Sequence, residues 1–506
     1  MEFDVAIIGS GLGGLTAGAK LAKEGFRVLL VEHHNIPGGC ATIFKRKNVR
    51  FEVSLHAVDG MDEEDFKLKV FRDLDVLTKV NFLPLNEFYK LKSVNQNIDM
   101  ICSNSSIELK KMLLSEFPNE VSGINKFFDV IAGLRRDINR FIPTTYQSRL
   151  LFYSKLATVP FSFPFIFKNI NTTLGGFLDS IIQSDRLKLI LSANLAYYHD
   201  DPYSMSLPFF AGAQGSFYKG SHYIKGGSQE LSNYLAEYIT KKSGKIIYNH
   251  LATKIITKNG QAVGIEYCSK TRPNEKTTVP VKWVVSNSAI PYVAQNLLDP
   301  EDSKKLQNKI KNFKPGLSFC SLFLGYKGEL NESVYSTIFL NENTSSLKHI
   351  SMDSQYDFSK RTMLFIDYGR INSGVGSEDI KSATACCVDY MRNWKDLSEH
   401  DYQKKKKEGL DQLLNRLDRM YPGLANQVTI SEFSTPKTIE RYTLNPEGAV
   451  YGFEQTPTQA NLNRLPLQNP LKNLFFASAW GFPGGGQSGA IEAGYTSAQN
   501  IIRLSK

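Results

Sequence analysis

The clearest chemical pattern in this sequence is a cluster of glycines near the N-terminus. Gly9, Gly11, Gly13 and Gly14 lie in the run GSGLGG, between an apolar stretch and a stretch with small and apolar residues at helical spacing. Glycines at the first, third and sixth positions permit a tight turn, close approach of a diphosphate to the backbone, and packing of the helix on the strand. The helix N-terminus also offers free N–H groups to phosphates. The pattern predicts a dinucleotide-binding βαβ unit.

An acidic residue and a second glycine pair extend this motif. Glu32 directly follows the apolar run Val28–Val31, where a carboxylate can accept hydrogen bonds from ribose hydroxyls. Gly38 and Gly39 then allow another close approach of the diphosphate to the backbone. These N-terminal features by themselves fit both nicotinamide and flavin dinucleotides.

The C-terminal region contains a third glycine cluster. Gly485, Gly486, Gln487 and Ser488 belong to the run PGGGQSG, which precedes a stretch with helical periodicity. A glycine turn at a helix N-terminus can stabilise partial negative charge on the pyrimidine side of a flavin. The two ends of the chain together therefore predict FAD, and not NAD, as the resident cofactor.

These motifs resemble the flavoprotein family of phytoene desaturases, carotenoid isomerases and retinol saturases. The resemblance is carried by the segments GSGLGGLTAG, PGGCAT, YIKGGSQ, VVSN and NLFFASAWGFPGGGQSGAIEAG, together with Glu32. It implies an α/β fold: a Rossmann-like, glutathione-reductase-like FAD-binding domain with an inserted mixed α+β substrate domain. By position, it also implies that the backbone of Ala252 contacts the adenine, and that the segment FEVSLH passes close to the flavin.

His56 ends that last segment and is the candidate catalytic residue. A histidine beside the flavin titrates near neutral pH and could donate a proton to a substrate. The alternating pattern of Phe51, Val53 and Leu55 places His56 on the opposite face of an extended segment. A buried, hydrogen-bonded structural histidine is therefore an equally good interpretation.

The order of strand-like and helix-like segments indicates a discontinuous architecture. Residues 1–75, 222–300 and 441–506 contain the motifs and apolar strands that we assign to the FAD-binding domain. Residues 76–221 and 301–440 form the expected substrate-binding domain. Because the motifs are split between the ends of the chain, neither half is expected to close a core by itself.

The segment 141–167 is rich in aromatic residues, is interrupted by prolines and has basic neighbours. Such a composition fits a helical surface that enters a bilayer interface, which would make a membrane surface a peripheral partner. A helical lid packed on the substrate domain is the alternative. The segment carries Phe141, Tyr146, Phe152, Tyr153, Phe161, Phe163, Phe165 and Phe167.

Composition restricts the other partners and the compartment. Lys and Arg total 60 against 50 Asp and Glu, a formal net charge of +10, but no basic stripe carries a nucleic-acid reader motif. Nucleic acid is therefore not an expected partner. Six cysteines without a CxxC pair indicate a reducing compartment and no metal site. Without a signal-peptide pattern or a spanning apolar run, we expect a cytoplasmic protein.

The resemblance implies an enzyme that acts on carbon–carbon double bonds of a long apolar polyene or isoprenoid. Saturation, cis–trans isomerisation and desaturation all remain open. One alternative is an amine-oxidase-like flavoprotein, which would need an aromatic cage around the substrate nitrogen. The other is a lipid or prenyl carrier that uses the same fold without catalysis.

Overall fold

A computed structural model describes residues 2–141, 158–460, 463–467 and 471–506. Its strands are β1 Val5–Ile8, β2 Val28–Val31, β3 Ile43–Arg46, β4 Val49–Glu52, β5 Val58–Asp59, β6 Phe82–Pro84, β7 Tyr89–Ser93, β8 Ile98–Cys102, β9 Ser221–Ile224, β10 Lys245–Ile247, β11 His250–Lys258, β12 Gln261–Ser269, β13 Arg272–Pro280, β14 Trp283–Ser286, β15 Ser318–Tyr326, β16 Ser336–Phe339, β17 Met363–Asp367, β18 Lys381–Asp389, β19 Val428–Ser434 and β20 Leu474–Phe476.

The α-helices are Leu12–Lys23, Phe66–Asp73, Ser106–Glu116, Val121–Phe141, Val159–Ser162, Pro164–Asn169, Leu174–Ile181, Asp185–Ser192, Leu207–Phe217, Ser228–Lys241, Ile290–Tyr292, Pro300–Ile310, Glu399–Met420, Leu424–Gln427, Pro436–Thr443 and Gly486–Ser505. Among the described residues, none of these helices is both long and apolar enough to span a bilayer.

A five-stranded parallel sheet carries the dinucleotide motif, with strand order β10-β2-β1-β14-β20. Its central strands are buried on both faces, which explains why they read as continuous apolar runs. Val5 and Ile7 point to a core that is shared with the helices Leu12–Lys23, Ser228–Lys241 and Gly486–Ser505. The alternate residues Ala6 and Ile8 point to a second core, which includes residues of the three-stranded sheet β11-β12-β13.

A mixed seven-stranded sheet forms the other main layer, in the order β19-β15-β18-β17-β16-β7-β8. All its neighbouring strands are antiparallel except β16 and β7. The helix Glu399–Met420 contributes Leu413 and Leu417 to one core of this sheet. The helices between Val121 and Phe217 pack with residues of β7 and β8 in another core. The fold is thus the α/β type expected from the sequence, and the limits of the two domains stay a prediction.

Local sequence patterns explain the hairpin between β11 and β12 but not the third strand of that sheet. The dipeptide Asn259-Gly260 joins β11 and β12, and both residues have positive φ, as a two-residue hairpin requires. Strand β13 was not predicted. Its residues are almost all exposed, so it lacks the alternation of apolar residues that marks a half-buried strand.

The aromatic segment 141–167 is only partly covered, because residues 142–157 lie outside the described part of the chain. Phe161 is 88% exposed and Phe167 is 55% exposed, whereas Phe163 is 4% exposed. The Phe163 ring packs edge-on against Phe141 at 5.5 Å between centroids, and Phe165 packs on the backbone of Gly133. The described aromatics are therefore divided between the core and the surface.

Candidate cofactor and substrate site

One large cavity of about 1500 Å³ is bordered by the carboxyl ends of the parallel strands and by the seven-stranded sheet. Gly9 follows β1, Glu32 follows β2, Asn287 follows β14 and Ser478 lies just beyond β20, and all four line the cavity. This edge is where ligands bind in open α/β sheets. Residues of β15–β18 and of the helices Asp185–Ser192 and Leu207–Phe217 also line the cavity.

Two glycine loops form a wall of bare backbone in this cavity. The N–H of Gly38 donates to the carbonyl oxygen of Ser10 at 2.8 Å, and Gly11 forms a bridge with Gly38. A Cβ on Gly39 would lie 3.3 Å from the Cα of Gly11, and Gly39 has φ +60°. Because these glycines carry no side chain of their own, a diphosphate can approach the backbone N–H groups closely.

Gly13 and Gly14 have a different role, since neither lines the cavity. A Cβ on Gly14 would lie 2.1 Å from the carbonyl oxygen of Gly9, and a Cβ on Gly13 would lie 1.6 Å from that of Ala477. The N–H of Gly14 donates to the side-chain oxygen of Asn287 at 3.1 Å. These two glycines therefore allow the first helix to pack on β1 and on the end of β20.

Glu32 holds the first glycine loop in place through hydrogen bonds to Ser10. One carboxylate oxygen accepts from the Ser10 N–H at 2.6 Å and from its hydroxyl at 2.7 Å, and the other accepts from the His34 N–H at 2.7 Å. A carboxylate has about four acceptor positions, so Glu32 can still accept a ribose hydroxyl. Ala252, on β11, also lines this end of the cavity.

The C-terminal glycine turn opens onto the same cavity. Gly485 is the N-cap of the helix Gly486–Ser505, and both glycines have positive φ. Gln487 donates to the Ser54 hydroxyl at 3.5 Å, and Ser488 donates to Asp59 at 2.6 Å. The positive end of the helix dipole thus faces the cavity, where it suits the electron-rich edge of a flavin.

His56 lines the cavity in an aromatic setting. Its Nδ1 lies 2.9 Å from the Tyr368 hydroxyl, and Tyr335 donates a short hydrogen bond to its carbonyl oxygen. The Tyr197 ring lies edge-on at 6.2 Å between centroids. Burial lowers the pKa of His56 to about 4. The ring is therefore neutral at neutral pH, unlike the freely titrating histidine that the sequence suggested.

A buried charged cluster on another wall was not foreseen. The Lys67 ammonium lies 2.8 Å from the Asp65 carboxylate and 3.5 Å from that of Asp59. Glu492 lines the cavity near this cluster, and burial, with the nearby Asp65 and Asp59, raises its pKa to about 8. Glu492 is thus protonated at neutral pH. Nothing in the local sequence distinguishes this residue from an exposed helical glutamate.

Apolar side chains form much of the cavity wall away from the glycine turns. Tyr451 projects into the cavity, with its ring 6.3 Å from that of Phe319 and opposite Gly486. A Cβ on Gly486 would lie 4.0 Å from the Tyr451 ring, so this ring faces a residue without a side chain. The surrounding apolar lining includes Leu189, Leu195, Ile338, Leu340, Ile350, Leu364 and Val388.

Comparison with known proteins agrees with this geometry. The chain matches the family model described as flavin containing amine oxidoreductase over residues 12–502, and it belongs to that family. It is 24% identical to prolycopene isomerase 1 (chloroplastic) of an Oncidium hybrid cultivar, over 99% of this chain and 84% of the relative. It is 23% identical to all-trans-retinol 13,14-reductase of Danio rerio, over 94% of this chain and 82% of the relative.

Solved structures with the same fold include two amine oxidases. Putrescine oxidase bound to putrescine superposes with a TM-score of 0.64 at 14% identity, covering 99% of both chains. Cyclohexylamine oxidase from Brevibacterium oxydans IH-35A gives a TM-score of 0.60 at 13% identity, covering 100% of both chains. The family match and the relatives in sequence make the protein an FAD-dependent oxidoreductase, and its backbone glycine loops and helix N-termini fit that cofactor.

Proposed function

We propose that the protein transfers hydrogen to or from a carbon–carbon double bond of a long apolar polyene or isoprenoid. The observation that carries this proposal is one cavity of about 1500 Å³, which joins the dinucleotide wall to walls lined by many apolar side chains. Pockets for one organic ligand usually measure about 300–1,000 Å³, so this cavity has room for FAD and a second, elongated molecule.

The comparisons favour a polyene over an amine. The relatives in sequence are named for prolycopene and all-trans-retinol, whereas the structures named for amines share only the fold at 13–14% identity. An amine site with an aromatic cage needs facing aromatic surfaces to stabilise a substrate nitrogen. Here Tyr451 faces Gly486, which has no ring, and the neighbouring Phe319 ring lies edge-on to Tyr451 at 6.3 Å instead of facing it.

FAD supplies two-electron hydride chemistry, and this chain's residues bind and orient it. We assign the diphosphate to the backbones of Gly9, Gly11, Gly38 and Gly39, and the ribose to Glu32. The adenine would lie against the backbone of Ala252. The turn Gly485-Gly486 would face the flavin ring, with Gln487 and Ser488 tying this turn to neighbouring strands. The apolar walls would align the substrate and exclude water.

We assign His56 to the reacting end of the cavity as a neutral imidazole. Tyr368 can donate either to Nδ1 of His56 or to the carbonyl oxygen of Leu55, at 2.9 and 3.3 Å. When Tyr368 donates to Nδ1, the ring proton resides on Nε2, which no described residue binds. Saturation adds a hydride to one alkene carbon and a proton to the other. His56 would pass that proton on from Nε2 while its Nδ1 accepts the proton of Tyr368, and isomerisation would need no net proton.

A peripheral membrane contact is also part of the proposal, because an apolar substrate partitions into lipid. Phe161 and Phe167 expose their rings, and Lys168 lies beside them in the sequence. Exposed aromatic side chains with a basic neighbour suit a bilayer interface with anionic lipid.

The deciding experiment is anaerobic incubation of the oxidised and the chemically reduced holoprotein with carotenoids, retinoids, polyenoic lipids and simple amines. A substrate mass increase of two hydrogens identifies saturation, a loss of two identifies desaturation, and a new isomer of equal mass identifies isomerisation. Turnover of amines without any polyene turnover would overturn the proposal.

A further inference from the structure

The buried side chain of Arg464 has no function in the site as described above. It is 3% exposed, and its guanidinium donates to the carbonyl oxygens of Phe453, Gln459 and Ala479 at 2.9–3.4 Å. It forms no ion pair with any carboxylate of the described residues. The residues outside the described ranges contain no Asp or Glu, so they cannot supply one.

An unpaired charge at this depth is costly, because desolvation penalises a buried ion and buried charges are normally paired. Burial lowers the pKa of Arg464 to about 9, which still leaves the guanidinium protonated at neutral pH. Backbone carbonyl dipoles satisfy part of its hydrogen-bonding capacity, but its Nε has no partner among the described residues. The protein therefore retains a positive charge here without its own anion.

The Arg464 guanidinium lies directly behind the C-terminal glycine turn. A Cβ on Gly484 would lie 2.5 Å from the Arg464 Nε, so the guanidinium contacts the glycine turn directly. Gly484 lines the cavity on the other side of this turn, and Gly485 caps the helix Gly486–Ser505. The guanidinium and the helix N-terminus thus place positive potential on the same wall, which suits the flavin pyrimidine edge.

We propose that Arg464, from behind the Gly484-Gly485 turn, raises the midpoint potential of bound FAD. Reduction increases the negative charge on the pyrimidine side of the ring. A fixed positive charge in a low-dielectric wall stabilises the reduced form more than the oxidised form. Arg464 acts through the turn and is a positioning residue. This inference depends on FAD binding and is independent of the substrate.

The test compares the midpoint potentials of the wild-type, Arg464→Gln and Arg464→Lys holoproteins, measured anaerobically against reference dyes. In Arg464→Gln, the equilibrium constant for two-electron reduction should fall at least about tenfold, a shift of about 30 mV. The flavin's affinity for sulfite should fall in parallel. Arg464→Lys keeps the charge and should remain near the wild-type potential, although both variants lose carbonyl hydrogen bonds and melt earlier.

Arg416→Gln is the matched control. Arg416 is also buried and donates to the backbone carbonyl of Arg361, but it lies on the helix that packs against the seven-stranded sheet. The substitution should lower the melting temperature without changing the potential. An unchanged potential in Arg464→Gln would overturn the proposal and leave Arg464 a purely structural tie. If the Arg464 variants do not retain flavin, wild-type protein reconstituted with 8-mercapto-FAD decides. The long-wavelength anionic form of that flavin requires positive potential at the pyrimidine edge, so its absence would overturn the proposal.

Discussion

Gly13 packs directly on the backbone of Ala477, and a Cβ at residue 13 would lie 1.6 Å from that carbonyl oxygen. The first glycine motif and the end of the last strand are therefore in contact, although they are at opposite ends of the chain. Gly494, on the C-terminal helix, completes the contact, since a Cβ there would lie 2.1 Å from the carbonyl oxygen of Gly13. Folding of the cofactor site thus requires both termini.

Gly13→Ala is expected to prevent folding or to lower the melting temperature strongly. The added methyl group would overlap backbone, which cannot move aside as a flexible side chain can. Circular dichroism melts of the purified variant measure this. A melt within about 2 °C of the wild type would show that the helix can shift away from Ala477.

Gly11→Val is expected to give folded but colourless protein. The atom nearest to a Cβ on Gly11 would be on the Asn287 side chain, at 2.5 Å, and the valine would project into the backbone wall assigned to the diphosphate. The flavin absorbance per protein, with a melt to verify folding, measures the effect. Gly176→Ala, on an exposed helix turn, is the control and should remain yellow. A full flavin spectrum in Gly11→Val would place the diphosphate elsewhere.

His56→Ala is expected to slow alkene saturation by about 10²–10⁴-fold, the usual contribution of general acid–base catalysis, with unchanged FAD content. Because the pKa of His56 is lowered to about 4, the wild-type rate should show no break near the ordinary histidine pKa of about 6.5. Rates from about pH 5 to 7 on a substrate found in the product-mass screen test both points. An unaltered rate in His56→Ala would make this a structural histidine.

Glu492→Gln is expected to stabilise the protein increasingly as the pH rises. The pKa of Glu492 is raised from 4.5 to about 8, so between these values the native state binds more protons than the unfolded state. Stability contributed by this group is therefore present at low pH and is lost as the pH rises towards 8. The melting temperature of the variant should exceed that of the wild type by about 2 °C or more at pH 8, and by less at pH 5.

Glu237→Gln is the matched control for that experiment. Glu237 lies on a surface helix with its side chain 63% exposed, paired with Lys241. Its substitution should shift the melting temperature little, and by a similar amount at both pH values. A pH-independent effect of Glu492→Gln would show that its carboxyl group is not protonated in the folded protein at neutral pH.

Phe161→Ser with Phe167→Ser is expected to weaken binding to anionic liposomes while leaving the melting temperature nearly unchanged. Both rings are exposed, so their loss removes little packing within the protein. Phe163→Ser is the contrasting variant. That ring is buried against Phe141, so the variant should melt earlier through loss of core packing. If the wild type and the double variant float equally well with the liposomes, the proposed membrane contact is wrong.

Much of the cofactor site was predictable from local sequence. The spacing of Gly9, Gly11 and Gly14, and the apolar runs of β1 and β2, depend on backbone conformation and burial over a few neighbouring residues. The acid that follows β2 is placed by the same short-range geometry. FAD and the α/β fold were therefore deducible before any long-range contact was known.

The electrostatic properties of the site were decided only by tertiary structure. The pKa of His56 depends on burial among Tyr335, Tyr368 and Tyr197, which come from distant parts of the chain. The pKa of Glu492 is raised to about 8 because folding removes the carboxyl group from water and brings it close to Asp65 and Asp59. Sequence spacing determines which backbone can form a dinucleotide turn, because that geometry is local. Desolvation and charge proximity depend on which distant segments meet, so only the folded chain determines them.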